Sequence, residues 1–348
     1  MKNFSSRIIA WQQQHGRHTL PWQTSRNPYP IWVSEVMLQQ TQVATVIPYF
    51  LRFMERFPDL LSLANASEDR VLEVWSGLGY YSRGRNLHKA AQRVVGHFGG
   101  AFPQAVTCLE TLPGVGRSTA SAIAALAFGN THAILDGNVK RVLTRHAGID
   151  GWPGDKVIEN KLWTLAESLL PLTRIEAYTQ GMMDLGASLC TRTRPTCAIC
   201  PVANDCVALN QARVSELPMR KPKKTMPEKQ VQMLILVDGD QILLEKRPSK
   251  GIWGGLWSFP EIEPSTDSQR YCHKQLGFSV KMRTSLPILR HSFTHFRLDI
   301  SPQVIRISPR PAAGLESRQR WFALSAALAA AVPSPVRRLL QQLDQVPL

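Results

Sequence analysis

Apolar positions along the first two thirds of the chain follow the period of an α-helix. Between residues 4 and 206 they recur at helical spacing, for example in 120–128 and 162–170, and short breaks rich in Gly and Pro separate the repeats. The pattern predicts that this part of the chain is almost wholly helical.

The pattern changes near residue 214. Residues 213–230 combine three prolines with a run of basic side chains, Arg220, Lys221, Lys223 and Lys224. Such a composition resists packing into a core and is typical of a connector between domains. We therefore expect a linker here.

Beyond the linker the apolar pattern favours strands. Residues 231–237 and 242–245 flank a turn at 238–240, which predicts a β-hairpin. Two further strand-like stretches and one alanine-rich helix are predicted at residues 279–282, 293–300 and 323–331. The fold class is therefore multidomain, with an all-α domain followed by an α/β domain.

The length of the chain indicates more than one domain, and its charge indicates a class of binding partner. The 348 residues exceed one usual domain, and 44% apolar content is ample for two buried cores. A net charge of +15 suits a surface that binds a polyanion such as DNA, although a merely solvated surface is the alternative. No apolar run of membrane-spanning length occurs, and residues 1–16 do not resemble a signal peptide. We expect a cytoplasmic protein without membrane contact.

Four cysteines lie close together in the sequence. Cys190, Cys197, Cys200 and Cys206 are separated by six, two and five residues, whereas the chain's other cysteines, Cys108 and Cys272, are scattered. One loop carrying four thiolates with a single Cys-x2-Cys knuckle suits a [4Fe-4S] cluster. Zinc, or four unrelated thiols, are the alternatives.

A second motif lies at residues 112–120, Leu-Pro-Gly-Val-Gly-Arg-Ser-Thr-Ala. Gly114 and Gly116 let the backbone turn sharply between helices, so that amides at the start of the next helix can face a phosphate. This is the arrangement of a helix-hairpin-helix, which binds the duplex backbone without reading its sequence. An ordinary turn between two helices remains the alternative.

Asp136 follows this motif, in a loop just before a further helix. Its position in Ile-Leu-Asp-Gly-Asn-Val-Lys-Arg, residues 134–141, also suits a simple helix N-cap.

Taken together, the hairpin, Asp136 and the cysteine loop resemble the helix-hairpin-helix DNA glycosylases that carry an iron–sulfur cluster. Residues 32–43, Trp-Val-Ser-Glu-Val-Met-Leu-Gln-Gln-Thr-Gln-Val, resemble the MutY type, the adenine DNA glycosylases. The resemblance covers nearly the whole chain.

The resemblance implies a domain plan. A helical catalytic domain spans residues 1–212, with a six-helix barrel module at about 27–132 and an iron–sulfur module formed by 1–26 and 133–212. The linker is then 213–229. Residues 230–348 form a Nudix-like domain.

The resemblance also implies roles for two carboxylates. Breaking the glycosidic bond of adenine needs a proton for the departing base and negative charge beside the sugar cation. Glu35, flanked by apolar residues that would keep it protonated, becomes the acid. Asp136, with Asn138 in support, becomes the anion that stabilises the sugar cation or accepts it covalently.

Further positions are assigned by the same resemblance. Ser118 stands where bifunctional relatives carry a nucleophilic lysine, so water is the expected attacking group and the product an abasic site. Gln180 corresponds to a residue that binds the flipped adenine. The residues implied to contact DNA are Gln40, Tyr80, Gly114, Gly116, Arg117, Ser118, Arg192 and Arg194.

The second domain resembles a Nudix fold without its metal-binding helix. Residues 254–260 match the fold, but the following segment lacks the Arg-Glu-x-x-Glu-Glu carboxylates that hold magnesium. In adenine glycosylases this domain recognises 8-oxoguanine through a Phe-Ser-His loop, which here reads Phe293, Thr294 and His295.

The sequence thus predicts a monofunctional glycosylase of base excision repair that excises adenine opposite 8-oxoguanine or guanine in duplex DNA. The resemblance implies a monomer associated with the nucleoid. Two other hypotheses are weighed against it. A lyase-type glycosylase for oxidised pyrimidines is opposed by Ser118 and the second domain, and a non-catalytic DNA-binding or redox protein is opposed by Glu35 together with Asp136.

Overall fold

The protein was analysed as a computed structural model, which describes residues 4–222, 225–307 and 317–344. Lys223 and Lys224 of the expected linker lie outside the described residues. The chain divides into two compact units, Met1–Asn65 with Asn86–Lys223, and Ala66–Arg85 with Lys224–Leu348. Each unit is considered by itself below.

Helices account for the regular structure from residue 4 to residue 222, apart from three short 3-10 turns. The predicted helical character of this region is confirmed. The α-helices are α1 (Phe4–His15), α2 (Pro28–Leu38), α3 (Val43–Arg56), α4 (Leu60–Ala64), α5 (Glu68–Trp75), α6 (Ser82–Phe98), α7 (Val106–Leu109), α8 (Arg117–Phe128), α9 (Gly137–Ala147), α10 (Lys156–Ser168), α11 (Ile175–Ser188) and α12 (Val207–Asn210).

The core of the first unit forms where α1, α8, α9 and α11 pack together. Ile8, Ala125, Leu143 and Leu185 are fully buried there, one from each helix. Small alanines on α8 allow its neighbours to approach closely. This packing fixes the loops at the ends of these helices, which carry the candidate site.

The second unit contains a mixed β-sheet. Its strands are β1 (Glu228–Asp238), β2 (Gln241–Lys246), β3 (Trp257–Ser258), β4 (Glu261–Ile262), β5 (Val280–Ser285), β6 (Leu289–Ser292), β7 (Arg297–Ile307) and β8 (Gln319–Ala323). The main path runs β3-β2-β1-β7-β5, while β4 pairs with β1, β6 with β7 and β8 with β2. β1 and β7 are parallel, with Val231 opposite Ile300, and the other pairs are antiparallel.

In the described part of this unit, the sheet is accompanied by the helices α13 (Ser268–Gln275), α14 (Leu324–Ala329) and α15 (Ser334–Asp344). Alternate residues of β1 point to opposite faces, since Met233 and Ile235 join the cluster that includes α15, whereas Leu234 and Leu236 join the one that includes Cys272 of α13. A strand buried on both faces has a continuous apolar run, as residues 231–237 do.

The hairpin prediction is confirmed, because β1 and β2 pair with Asp238 opposite Gln241. The alanine-rich helix is confirmed as α14. The strand expected at 293–300 was partly wrong. β7 begins at Arg297, and residues 293–296 form a turn closed by a hydrogen bond from the Phe293 amide to the Phe296 carbonyl, 2.9 Å. Aromatic side chains favour strands, but here they pack around a reversal of the chain.

Helix α5 and the loop after it belong to the second unit. Leu72 of α5 packs against Leu256 and Ala331. Lys246 Nζ lies 2.5 Å from Asp69 Oδ1, and Arg337 Nη2 donates to Ser76 Oγ at 2.9 Å. The segment that carries Tyr80 is therefore held by residues from the C-terminal part of the chain.

Over the parts of the chain that the structure describes, none of the helices combines the length and the apolar character needed to span a bilayer.

Candidate active site

Glu35 lies on α2, among apolar side chains of the same helix. Asn27 caps the helix, its side chain accepting a hydrogen bond from the Tyr29 amide, and Pro28 takes the first turn. Trp32, Val33 and Val36 are buried around the partly buried Glu35. Burial raises the pKa of Glu35 to about 7, and the Asp136 carboxylate adds to the effect. A glutamic acid of this kind can hold its proton near neutral pH.

Asp136 is the N-cap of α9. Its Oδ1 accepts a hydrogen bond from the Val139 amide at 2.8 Å, and its Oδ2 accepts one from Asn138 Nδ2 at 3.2 Å. Burial raises its pKa, while these hydrogen bonds and the Arg141 charge oppose the rise. The capping role and a role at the site are therefore compatible.

The two carboxyl groups share one electrostatic environment but differ in hydrogen bonding. Among the described residues, none donates a hydrogen bond to the Glu35 carboxyl, whereas Asp136 accepts two. Donors stabilise an anion, and their absence in a desolvated position favours the neutral acid. The arrangement can supply one proton donor and one anion.

Ser118 supports the loop that carries Asp136. Its Oγ accepts a hydrogen bond from the amide of Leu135, the residue before Asp136, at 3.0 Å. Ser118 therefore helps to hold the backbone of the Asp136 loop.

The hairpin between α7 and α8 depends on glycine. Gly114 has φ 79°, and a Cβ there would lie 2.9 Å from Asn86 Cβ. Gly116 is the N-cap of α8, and both glycines are exposed. Arg117 pairs with Glu167, and its guanidinium stacks 3.9 Å from the centre of the Trp163 ring. The backbone amides of this exposed helix start can donate hydrogen bonds to a phosphate.

A cavity of about 490 Å³ lies in the first unit and includes Gln180 in its wall. His18, Trp22, Ile31 and Leu126 also line it. Ile31 precedes Glu35 by one helical turn and so lies on the same face of α2. The sequence analysis did not predict that these residues line a cavity. The spacing of Ile31 and Glu35 along α2 could have indicated that Ile31 lies near the site.

The four clustered cysteines line a single cavity together with Val142, Leu185 and Val202. Arg145 Nη1 lies 3.4 Å from Cys190 Sγ. Burial, and to a smaller extent the neighbouring thiols, raises the pKa of Cys200 to about 11. Within the described residues, no three His, Cys, Asp or Glu side chains converge closely enough for one metal ion. Four thiols around an apolar cavity with an adjacent cation fit a polynuclear thiolate-bound group.

Arg141 joins the Asp136 loop to the cysteine loop. Its Nη2 donates to Asn138 Oδ1 at 2.9 Å and to the Gly186 carbonyl at 2.6 Å, and its Nε donates to the Cys190 carbonyl at 2.7 Å. Gly186 has room for no side chain, because a Cβ would lie 2.5 Å from Asn138 Cβ. No local pattern in the sequence predicted this link between the Asp136 loop and the cysteine loop.

Gln40 and Tyr80 both have left-handed backbone conformations, with φ 58° and 47°. Both side chains are exposed, Tyr80 by 46%. Non-glycine residues in this conformation are uncommon and cluster at functional sites. Each residue is therefore presented outward by a constrained turn in its own unit.

Arg192 and Arg194 are exposed on the cysteine loop. The carbonyl of Arg192 accepts a hydrogen bond from Arg145 Nη2 at 3.2 Å, which holds the loop in place. Two exposed cations are thus carried on an anchored backbone.

Phe293, Thr294 and His295 occupy the turn between β6 and β7. Phe293 stacks on Phe296 with ring centres 4.4 Å apart, while Thr294 and His295 are exposed. Helix α13 has the sequence Ser-Gln-Arg-Tyr-Cys-His-Lys-Gln, which contains no carboxylate. A magnesium site of the Nudix hydrolase kind has no ligands on this helix.

Comparisons with known proteins agree with the two-part fold. Residues 33–168 match the model of the HhH-GPD superfamily of base excision DNA repair proteins, and residues 231–342 match the NUDIX domain. A solved thermostable thymine-DNA glycosylase superposes with a TM-score of 0.55 and 27% identity, covering 60% of this chain and 96% of that one. The fold and site define a DNA glycosylase of the helix-hairpin-helix class with a Nudix-like second domain.

Relatives that match nearly the whole of this chain show to which family of DNA glycosylases it belongs. An adenine DNA glycosylase of Buchnera aphidicola subsp. Acyrthosiphon pisum is 38% identical over 97% of both chains. One from Mus musculus is 34% identical over 98% of this chain and 78% of its own length. The chain belongs to the adenine DNA glycosylase family of base excision repair.

Proposed function

We propose that this enzyme excises adenine mispaired with 8-oxoguanine or guanine and leaves an abasic site. The observation that carries the proposal is the pair of unlike carboxyl groups, Glu35 with a pKa of about 7 and the hydrogen-bonded Asp136.

In the proposed reaction Glu35 donates a proton to the adenine base as the bond between its N9 and the sugar C1′ breaks. The bonding electrons leave with the base, and Asp136 stabilises the positive charge that develops on the sugar. Glu35, now an anion, then accepts a proton from water as the water oxygen bonds to C1′. No amine nucleophile is needed, in keeping with the structural use of Ser118.

A paired adenine reaches these groups only after rotating out of the duplex. We assign Gln40 and Tyr80 to occupy the vacated space, because both are exposed on constrained turns. The cavity that Gln180 lines receives the base. Contacts with the DNA backbone are assigned to residues of the hairpin and of the cysteine loop. These residues are Gly114, Gly116, Arg117 and Ser118 in the hairpin, and Arg192 and Arg194 in the cysteine loop.

Cys190, Cys197, Cys200 and Cys206 would hold a [4Fe-4S] cluster, with structural and electrostatic roles when it is bound. The chain's own contribution is the hydrogen-bonded path from Cys190 through Arg141 to Asn138 and Asp136, which sets the position of the Asp136 loop. Iron and sulfide analysis of the purified protein tests this; zinc instead of iron would contradict it.

Thr294 and His295 are proposed to recognise 8-oxoguanine opposite the adenine. Both are exposed at a turn that the stack of Phe293 on Phe296 makes rigid. His295→Ala should lower the ratio of excision rates opposite 8-oxoguanine and guanine by about tenfold. Thr284→Ala, at an exposed position of β5, is the matched control and should leave the ratio unchanged.

Single-turnover cleavage assays test the whole proposal. Labelled duplexes contain adenine opposite 8-oxoguanine, thymine glycol or no lesion, and strand breaks are compared with and without alkali. We expect breaks only in the adenine duplex and only after alkali. Glu35→Gln and Asp136→Asn should lose at least about 100-fold in rate, whereas Glu55→Gln, at an exposed site on α3, should not. Full activity of either active-site variant would refute the assignment.

A further inference from the structure

Gln180 belongs to a buried chain of polar side chains. On α11 it lies one turn before Asp184, and the two residues are 8% and 1% exposed. Gln180 Nε2 donates to Asp184 Oδ1 at 2.8 Å. Both side chains are therefore held in the interior by a short hydrogen bond.

Arg17 fixes the Asp184 carboxylate from a distant part of the chain. Its backbone amide donates to Asp184 Oδ2 at 2.8 Å, and its Nε donates to Oδ1 at 2.6 Å. Since each carboxylate oxygen has a bond from Arg17, the group cannot turn without breaking one.

This arrangement determines which end of the Gln180 amide is free. A carboxylate only accepts hydrogen bonds, so the amide must turn its NH2 group toward Asp184. Among the described residues, no donor reaches Gln180 Oε1, and Gln180 lines the cavity of about 490 Å³. The cavity wall therefore offers an unused acceptor.

We propose that Asp184 and Arg17 are positioning residues that make Gln180 present its carbonyl oxygen, and so select a base that carries an amino group. Adenine has such a group at C6, whereas hypoxanthine has an oxygen there, which would face a second acceptor. An unrestrained glutamine could rotate and accept either base. The inference rests on the proposed function of this cavity.

Asp184→Asn tests the proposal because its amide can donate or accept, which frees Gln180 to rotate. Single-turnover rates are measured on duplexes with adenine, hypoxanthine or unsubstituted purine opposite 8-oxoguanine. We expect the adenine-to-hypoxanthine ratio to fall about tenfold, and the adenine-to-purine ratio to fall as well, because purine has no group at C6 for Gln180 to read.

Ser188→Ala is the matched control, because Ser188 Oγ donates to the main-chain carbonyl of Asp184, at 2.8 Å, and to no other group in the described part of the chain. Its adenine-to-hypoxanthine ratio should not change. If Asp184→Asn does not fold, Gln180→Met serves instead, since it keeps the Arg17–Asp184 pair and should lower the rate on adenine relative to purine.

An unchanged ratio in folded Asp184→Asn, or an unchanged adenine-to-purine ratio in Gln180→Met, overturns the inference. If the unaltered enzyme excises no adenine, the proposed function fails instead, so the two failures are distinguishable.

Discussion

Glu35 and Asp136 owe their different chemistry to their immediate surroundings. Glu35 lies among buried apolar side chains of α2, whereas Asp136 receives hydrogen bonds from Val139 and Asn138. Desolvation raises the pKa of both, but only Asp136 has donors that favour its anion. Two residues of the same chemical class can therefore act as acid and anion at one pH.

The pH dependence of excision follows from the pKa of Glu35. The protonated form is the active one, so the single-turnover rate should be level well below pH 7 and fall about tenfold per pH unit above the pKa of about 7. Rates measured from pH 5 to 9 check this. A rate that stays level up to pH 9 would contradict a proton-donating Glu35.

The coupling between the two groups can be measured directly. Asp136→Asn removes a negative charge that disfavours the Glu35 anion, so the pKa of Glu35 should fall. Carbon-13 NMR of labelled glutamate, with Glu35→Gln used to assign the signal, measures the change. An unaltered pKa would show that the carboxyl groups do not interact.

Helix ends and turns supply most of the site. Asp136 is an N-cap, Gly114 and Gly116 form the hairpin, and Gln40 follows the end of α2. Backbone amides that a helix leaves unpaired are available at such ends. The helix ends thus position the side chains of the candidate site and also offer backbone amides that can donate hydrogen bonds.

Gly114→Ala should weaken the hairpin because its φ of 79° disfavours a side chain and a Cβ would lie 2.9 Å from Asn86 Cβ. We expect a loss of about 1–3 kcal/mol in the free energy of unfolding, together with weaker DNA binding. Gly96→Ala, within α6 and with open space around it, should instead stabilise by up to about 1 kcal/mol. Chemical denaturation measures both changes in the free energy of unfolding. An unchanged free energy of unfolding in Gly114→Ala would contradict the strained turn.

The exposed arginines of the cysteine loop predict a salt effect. Replacing Arg192 and Arg194 by alanine should reduce the slope of log affinity against log salt concentration by about two if each contacts one phosphate. Fluorescence anisotropy with duplex DNA measures the slope. If the slope does not change, the loop does not contact the DNA backbone.

At the level of the whole molecule, the C-terminal residues do more than form a separate fold. Leu256 and Ala331 pack on Leu72 of α5, and Arg337 bonds Ser76 in the loop before Tyr80. The position of Tyr80 therefore depends on these C-terminal residues as well as on its own turn.

Ending the chain at Gln230 should reduce the preference for 8-oxoguanine over guanine while retaining some adenine excision. It also removes the packing partners of Leu72, so the thermal midpoint should fall. Leu256→Ala separates the two effects, because it leaves Thr294 and His295 in place but should cost about 2–5 kcal/mol in unfolding free energy. An unchanged base preference in the truncated enzyme would refute recognition by the second unit.

Local patterns were enough to predict much of the fold. Helical spacing indicated the helical region, and the turn at 238–240 indicated the β1–β2 hairpin. The single [4Fe-4S] centre that the cysteine spacing indicated stays a prediction, although the four cysteines line one cavity. The predicted strand was wrong at residues 293–296, because aromatic residues suit both a strand and a packed turn.

The amino-acid sequence by itself determined where helices begin, where glycine permits a turn and which residues can ionise, because these depend on near neighbours in the chain. Only the tertiary structure decided that Glu35 is desolvated and feels the charge of Asp136, that Arg17 holds the Asp184 carboxylate to which Gln180 donates, and that α5 packs with the C-terminal residues. Arg17 and Asp184 are 167 positions apart. Burial and charge coupling between such residues arise from packing in space, which no local spacing encodes.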